Sequence, residues 1–189
     1  MPATHEVQNA TAKSVAAKAD LIDVFCVHMK AARKTVKASP TPKAELEGFI
    51  AKFMPDVAKV ARSALAKIRK LTPGAHELVY DNYNALAIGF SPTEKASDVI
   101  VSIALYPRWV TLFFLAGKGL PDPKKRLKES GARVRHIKLE SAKDLDHPDI
   151  RALFAAALER AKTPLDAMNR GKLLIKSVSP KQRPRRPAT

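Results

Sequence analysis

The chain has 189 residues, 46% of them apolar, with a single cysteine and a formal net charge of +16. That length suits one ordinary domain, the apolar fraction excludes wholesale disorder, and one cysteine excludes an intramolecular disulfide and fits a reducing compartment. The first residues, MPATHEVQNATAK, have no apolar leader, and the most apolar stretch, Ser102 to Gly117, is broken by Pro107 and Arg108, so a soluble, cytoplasmic protein with no membrane partner is expected.

The charge is unevenly spread. Residues 1–45 carry seven Lys/Arg and four Asp/Glu, residues 46–160 nineteen and thirteen, and residues 161–189 eight and one. Almost half of the excess therefore belongs to the short C-terminal segment, which reads as a basic tail rather than as one face of a folded domain.

In chain order, Ser14 suits an N-cap for a helix with Ile22, Phe25, Met29 and Ala32 on one stripe, in which Cys26 is a small buried hydrophobe. Lys30 to Pro42 is a linker stopped by Pro40 and Pro42. Residues 1–41 are thus a helix and a basic linker. Leu46, Phe49, Ile50 and Phe53 then fall at i, i+3, i+4, i+7, an amphipathic helix, and Pro55 starts a second at its first turn. Val57, Val60, Ala61, Ala64, Leu65, Ile68 and Leu71 form the buried stripe of that second helix. Its cations Lys59, Arg62, Lys67, Arg69 and Lys70 are left for water or a partner, and Pro73-Gly74 ends it. HELVYDNYNALAIGF reads as one or two strands with a turn near Asp81–Asn84. Asp98–Tyr106 and Trp109–Leu115 are apolar on both faces, which predicts a central hairpin turning at Pro107-Arg108. Asp122-Pro123 predicts a short helix closed by Gly131, Arg133–Leu139 a strand, and Asp149–Ala161 a final helix with Asp146 and Asp149 as cap candidates. The order predicts an α+β domain over residues 42–163, with two N-terminal helices and a C-terminal helix packed on an antiparallel sheet. Residues 164–189 are left as a basic Pro/Arg-rich tail.

Three groups of residues carry possible chemistry. Tyr80, Asp81 and Tyr83 lie at a bend between strands, where tyrosines beside polar groups suit a small-molecule pocket; a turn in which Asp81 bonds the backbone is the plainer reading. Tyr106, Arg108 and Trp109 put an arginine between aromatics at a hairpin tip, a pattern for a carboxylate, a phosphate or a stacked base, or simply a solvated tip. On the strand RVRHIKL, alternation sets His136 and Lys138 on one face and Arg133 and Arg135 on the other, a pattern for anion binding or for a charged edge strand. The five histidines show no metal-ligand spacing and there is no CxxC or phosphate loop, so no metal, cofactor or catalytic residue is expected. In the tail, Lys181, Arg183, Arg185 and Arg186 stand in SPKQRPRRP, which suits phosphate contact by an extended segment, or a solubilising tail.

Leu46 to Ala161 resembles the YdhG-like family, domain of unknown function 1801. The resemblance rests on the paired helices ending at Pro73-Gly74, VYDNY at Val79–Tyr83, IALYPRWVTLFFLAG at Ile103–Gly117, LPDPKKRLKESG at Leu120–Gly131 and VRHIKL at Val134–Leu139. It implies an α+β sandwich similar in outline to frataxin, and at least one relative has been proposed to handle iron. Frataxin-type iron handling uses an acidic ridge on the first helix and first strand, whereas the first helix here offers only Glu45 and Glu47. The resulting expectation is a non-catalytic binding protein for a small anionic or metal-bearing ligand near Tyr80, Tyr83, Tyr106, Arg108 and Trp109. The alternative is a nucleic-acid-associated protein acting through its basic ends.

Overall fold

The computed structural model describes residues 40–187. The helix expected from Ser14, with Cys26, and nearly all of the linker lie outside the described residues. Thr41 caps the first helix by accepting from the Ala44 amide at 3.3 Å, and Pro42 occupies the first position of α1 (Pro42–Ala51). Pro55 restarts the chain in the same way, giving α2 (Pro55–Leu71), with Ala61, Ala64, Leu65 and Ile68 fully or almost fully buried. The cations of α2 do not all face water. Arg62 pairs with Glu47 at 2.8 Å, Arg69 with Glu77 at 2.7 Å, and Lys67 with Asp146.

The strands are β1 (His76–Asp81), β2 (Leu86–Ser91), β3 (Val101–Leu105), β4 (Val110–Phe114), β5 (Lys128–Ser130), β6 (Val134–Leu139) and β7 (Leu173–Val178). They form one sheet in the order β5-β6-β4-β3-β2-β1-β7. The β3–β4 hairpin is central, as its apolar runs predict. Leu86, Leu105, Val110 and Leu139 stand in one row across the sheet and point into the core shared with Leu46, Phe53, Leu65 and Ile68. A third helix, α3 (Pro148–Glu159), adds Ile150, Leu153 and Phe154, and the Phe154 ring meets Phe114 edge-on with centroids 5.5 Å apart. The α+β architecture matches the expectation from element order.

Four expectations need correction. Asp122 starts no helix: its carboxylate accepts the amides of Arg126 (2.9 Å) and Leu127 (2.7 Å), which satisfies a turn and leads into β5. Gly131, at φ 85°, is accordingly the turn residue between β5 and β6. The strand RVRHIKL is not an edge over its first half, because β5 pairs with Val134–His136. Neither Asp146 nor Asp149 caps α3; the cap position is His147, and the capping box sits one turn earlier, between Ser141 and Asp144. Finally, the ordered sheet does not stop at Thr163. Leu173–Val178 pairs with β1 and makes that one pair parallel in an otherwise antiparallel sheet.

The path back to β1 depends on two glycines. A Cβ on Gly74 would lie 1.9 Å from the Asp166 carbonyl oxygen, and one on Gly171 would lie 2.0 Å from that of Ala75. Backbone touches backbone at this crossing, and no side chain larger than hydrogen fits.

Candidate ligand-binding site

The β3–β4 tip is closed by the Tyr106 amide donating to the Trp109 carbonyl at 2.9 Å, so Pro107 and Arg108 form the bend and two aromatic rings leave it side by side. Those rings stack with centroids 5.4 Å apart and planes 28° from parallel. From β6, Lys138 brings its Nζ to 6.0 Å from the Trp109 centroid. Contacts of these kinds contribute about 0.5–1.5 kcal/mol each, enough to fix an indole that is 40% exposed. Facing it, the first turn of α2 closes a groove of about 160 Å³. Asp56, Val57 and Val60 make one wall, Arg108, Trp109 and Lys138 the other, and Glu140 stands at the rim.

The groove is of mixed charge, with Arg108 and Lys138 set against Asp56 and Glu140. Lys138 is 3.9 Å from Glu140, and both are exposed, so that pair is weak. Among the described residues Arg108 makes no salt bridge. Met54, the cap residue of α2, supplies no side-chain acceptor, and Asp56 is the acidic residue of that first turn. The volume lies below the roughly 300 Å³ at which drug-sized sites begin, so a guest here is small.

The other sequence-predicted residues do not join this groove. Tyr80 and Tyr83 stand at the same end of the sheet, but β1 is three strand spacings from β4, about 14 Å. The Tyr80 hydroxyl is buried without a hydrogen-bond partner, and Tyr83 is 52% exposed in the β1–β2 turn. Arg135 bonds Glu129 (2.9 Å) and the carbonyls of Gly131 and Val134, and so holds the β5–β6 turn. His136 packs on Phe113, centroids 5.6 Å apart, with Nδ1 buried and unpartnered. Lys138 and Leu139 are the residues of that strand that reach the groove. Alternation marks its face, but that β6 lies beside β4 is a tertiary fact.

Asp81 is no turn residue. Its side chain is fully buried, and Oδ1 accepts from Arg185 Nη2 at 2.7 Å. Oδ2 accepts from Gln182 Nε2 at 2.6 Å and Lys52 Nζ at 3.0 Å. Arg185 is 5% exposed, and Arg186 donates to the carbonyls of Ala51, Lys52 and Phe53 at the end of α1. Of the four cations assigned to a free basic arm, Lys181 and Arg183 alone keep their charged groups clear of such contacts. Farther back, Lys172 bonds Glu94 at 2.8 Å, which lowers the Glu94 carboxyl from its ordinary value and raises that of Lys172.

Among the described residues no group of three or more His, Cys, Asp or Glu side chains is arranged to hold a metal ion, and no helix is long and apolar enough to cross a membrane. Comparison with protein-family models, curated proteins and solved structures finds no match to this chain.

Proposed function

We propose that this chain is a non-catalytic binding protein of YdhG-like type that holds a small anion, free or bearing a metal, in the groove between the first turn of α2 and the β3–β4 tip. One observation carries the reading: Arg108 and Lys138 both line the groove beside the Trp109 indole, at a helix start with no side-chain cap. Cations on a planar aromatic wall suit a carboxylate or phosphate group, which guanidinium and ammonium donors bind through charge-assisted hydrogen bonds.

Trp109 is the single tryptophan of the chain, so intrinsic fluorescence reports on the groove itself. Iodide should quench that emission more strongly than caesium or neutral acrylamide, because the cations concentrate an anionic quencher. Titration with pyrophosphate and citrate should give a saturable change, weakened about tenfold by Arg108→Ala, as loss of one charged hydrogen bond requires. Emission indifferent to every anion at millimolar concentration, with no preference for iodide, would end the reading.

A second reading, nucleic-acid association through the C-terminal cations, keeps support from Lys181 and Arg183, which are exposed. It has a distinct signature in salt dependence, argued in the Discussion.

A further inference from the structure

The surroundings of Arg185 are those of a recognition site. Its guanidinium carbon stands 5.4 Å from the centroid of the Phe53 ring, a side chain 1% exposed. One terminal nitrogen donates to Asp81 Oδ1 and to the Asn82 carbonyl, and the other to the Tyr83 carbonyl at 3.4 Å. The walls are therefore one aromatic face, one carboxylate and two carbonyl oxygens. All the polar members are acceptors and all meet the two terminal nitrogens, while the buried Nε has no partner. A guanidinium, planar and rich in donors without an acceptor, is the side-chain group that matches such walls; an ammonium is a point charge and cannot serve the spread acceptors together.

The site also has an approach built for an extended peptide. β7 lies parallel along β1 from Leu173 to Val178, and the Ser179 and Arg183 amides then donate to the carbonyls of Asp81 (2.8 Å) and Tyr83 (2.9 Å). Main-chain pairing along a sheet edge supplies affinity, and a pocket for one side chain supplies selectivity; this is how strand-addition sites recognise peptides. The ligand is here tethered to its receptor.

We propose that Phe53, Asp81 and the carbonyls of Asn82 and Tyr83 form an arginine-recognition site at the end of the β1 edge, filled in cis by Arg185 and open to an external guanidinium or arginine-bearing segment when that side chain is removed. The site is separate from the groove at Trp109, and its test does not depend on what the groove binds.

The test is chemical rescue in the full-length chain. Arg185→Ala should lower the melting temperature by about 5–10 °C, since it takes from Asp81 its one buried cationic partner and leaves that carboxylate to Lys52 and Gln182. Low-millimolar guanidinium chloride should then raise the melting temperature of this variant by about 3–5 °C once it exceeds its dissociation constant tenfold. Sodium and methylammonium chloride at equal ionic strength should give no such rise, and the wild-type chain, whose site is full, should show none with guanidinium. Adding Asp81→Asn to Arg185→Ala should abolish the rescue. A labelled peptide spanning residues 179–187 should bind the Arg185→Ala chain at least tenfold more tightly than wild type, and the same peptide with alanine at its Arg185 position should not. If Arg185→Ala is recovered folded only when guanidinium is present during refolding, that too supports the site; Arg185→Gln then serves for the melting series. Equal effects of guanidinium, methylammonium and sodium on either folded variant, or equally poor refolding with and without guanidinium, would overturn the proposal.

Discussion

Asp81 and Arg185 illustrate how a buried ion pair binds two residues to each other more than it stabilises the chain. Removing Asp81 leaves the Arg185 charge buried without a counter-ion, at a cost of about 3–5 kcal/mol, and removing Arg185 leaves Asp81 to the partly exposed Lys52 and to Gln182, whereas replacing both with apolar groups of similar size is often close to neutral. Asp81→Asn and Arg185→Met should therefore each destabilise strongly, while Asp81→Leu with Arg185→Met should cost clearly less than the two single effects added together. Urea unfolding of the set measures this. Lys52 does not upset the expectation: its side chain is 41% exposed and can turn to water when Asp81 is gone. Additive costs would mean that the pair is not the unit described here.

At the scale of elements, β7 is held at its start by a backbone crossing and along its length by β1. Gly171→Ala would force a Cβ against the Ala75 carbonyl oxygen. The expected result is local: faster amide exchange over Leu173–Val178 and over β1, with β3 and β4 unchanged. Uniform loss of protection would show that β7 and the central hairpin unfold as one. The same strand shows where sequence reading stops. The two N-terminal helices were legible because Leu46, Phe49, Ile50 and Phe53 repeat at helical spacing, and Pro55 restarts the chain. The central hairpin was legible because two apolar runs flank Pro107-Arg108. LLIKSV, by contrast, is at most half-buried along its whole length and follows Lys172 directly; it becomes a strand because β1 offers an edge almost a hundred residues earlier, which no local pattern records. Asp122 misled for a related reason. A carboxylate before proline suits both a helix cap and a turn, and the two amides it meets are those of a turn. Of the candidate site, Arg108, Trp109 and Tyr106 were found from the hairpin tip, while Asp56, Lys138 and Glu140 arrive from other elements.

For the molecule as a whole, charge and acidity act through carboxylates near the surface. Glu94, Asp98 and Asp146 all titrate lower than usual because Lys172, the Thr93 and Ser97 hydroxyls, and Lys67 hydrogen-bond their charged forms. A carboxyl whose folded value is lowered adds stability that is present above its ordinary value, 4.5 for Glu94 and 3.8 for the aspartates, and is lost as the pH falls through the folded value. Lys172, being raised, adds stability below its ordinary 10.5 that disappears at more alkaline pH. Melting temperature should thus hold near neutrality and fall in the acid limb, with Glu94→Gln making that fall shallower. An unchanged acid limb in Glu94→Gln would remove this pair from the account. Nucleic-acid binding, if it occurs, carries its own mark. Two exposed tail cations predict a log–log salt slope near −1.8 on duplex DNA, against about −3.6 were all four free, so the slope reads directly whether the segment is docked.

Arg185 and Asp81 lie 104 residues apart in the chain, and this has a consequence for biosynthesis. Phe53, Asp81 and the β1 edge are synthesised well before the strand and the arginine that complete them. Until β7 and Arg185 have followed, the growing chain displays an unpaired edge beside a carboxylate without its main partner, the kind of surface on which nascent chains associate wrongly. A chain stopped before Leu173 would have nearly all of its core and neither β7 nor Arg185.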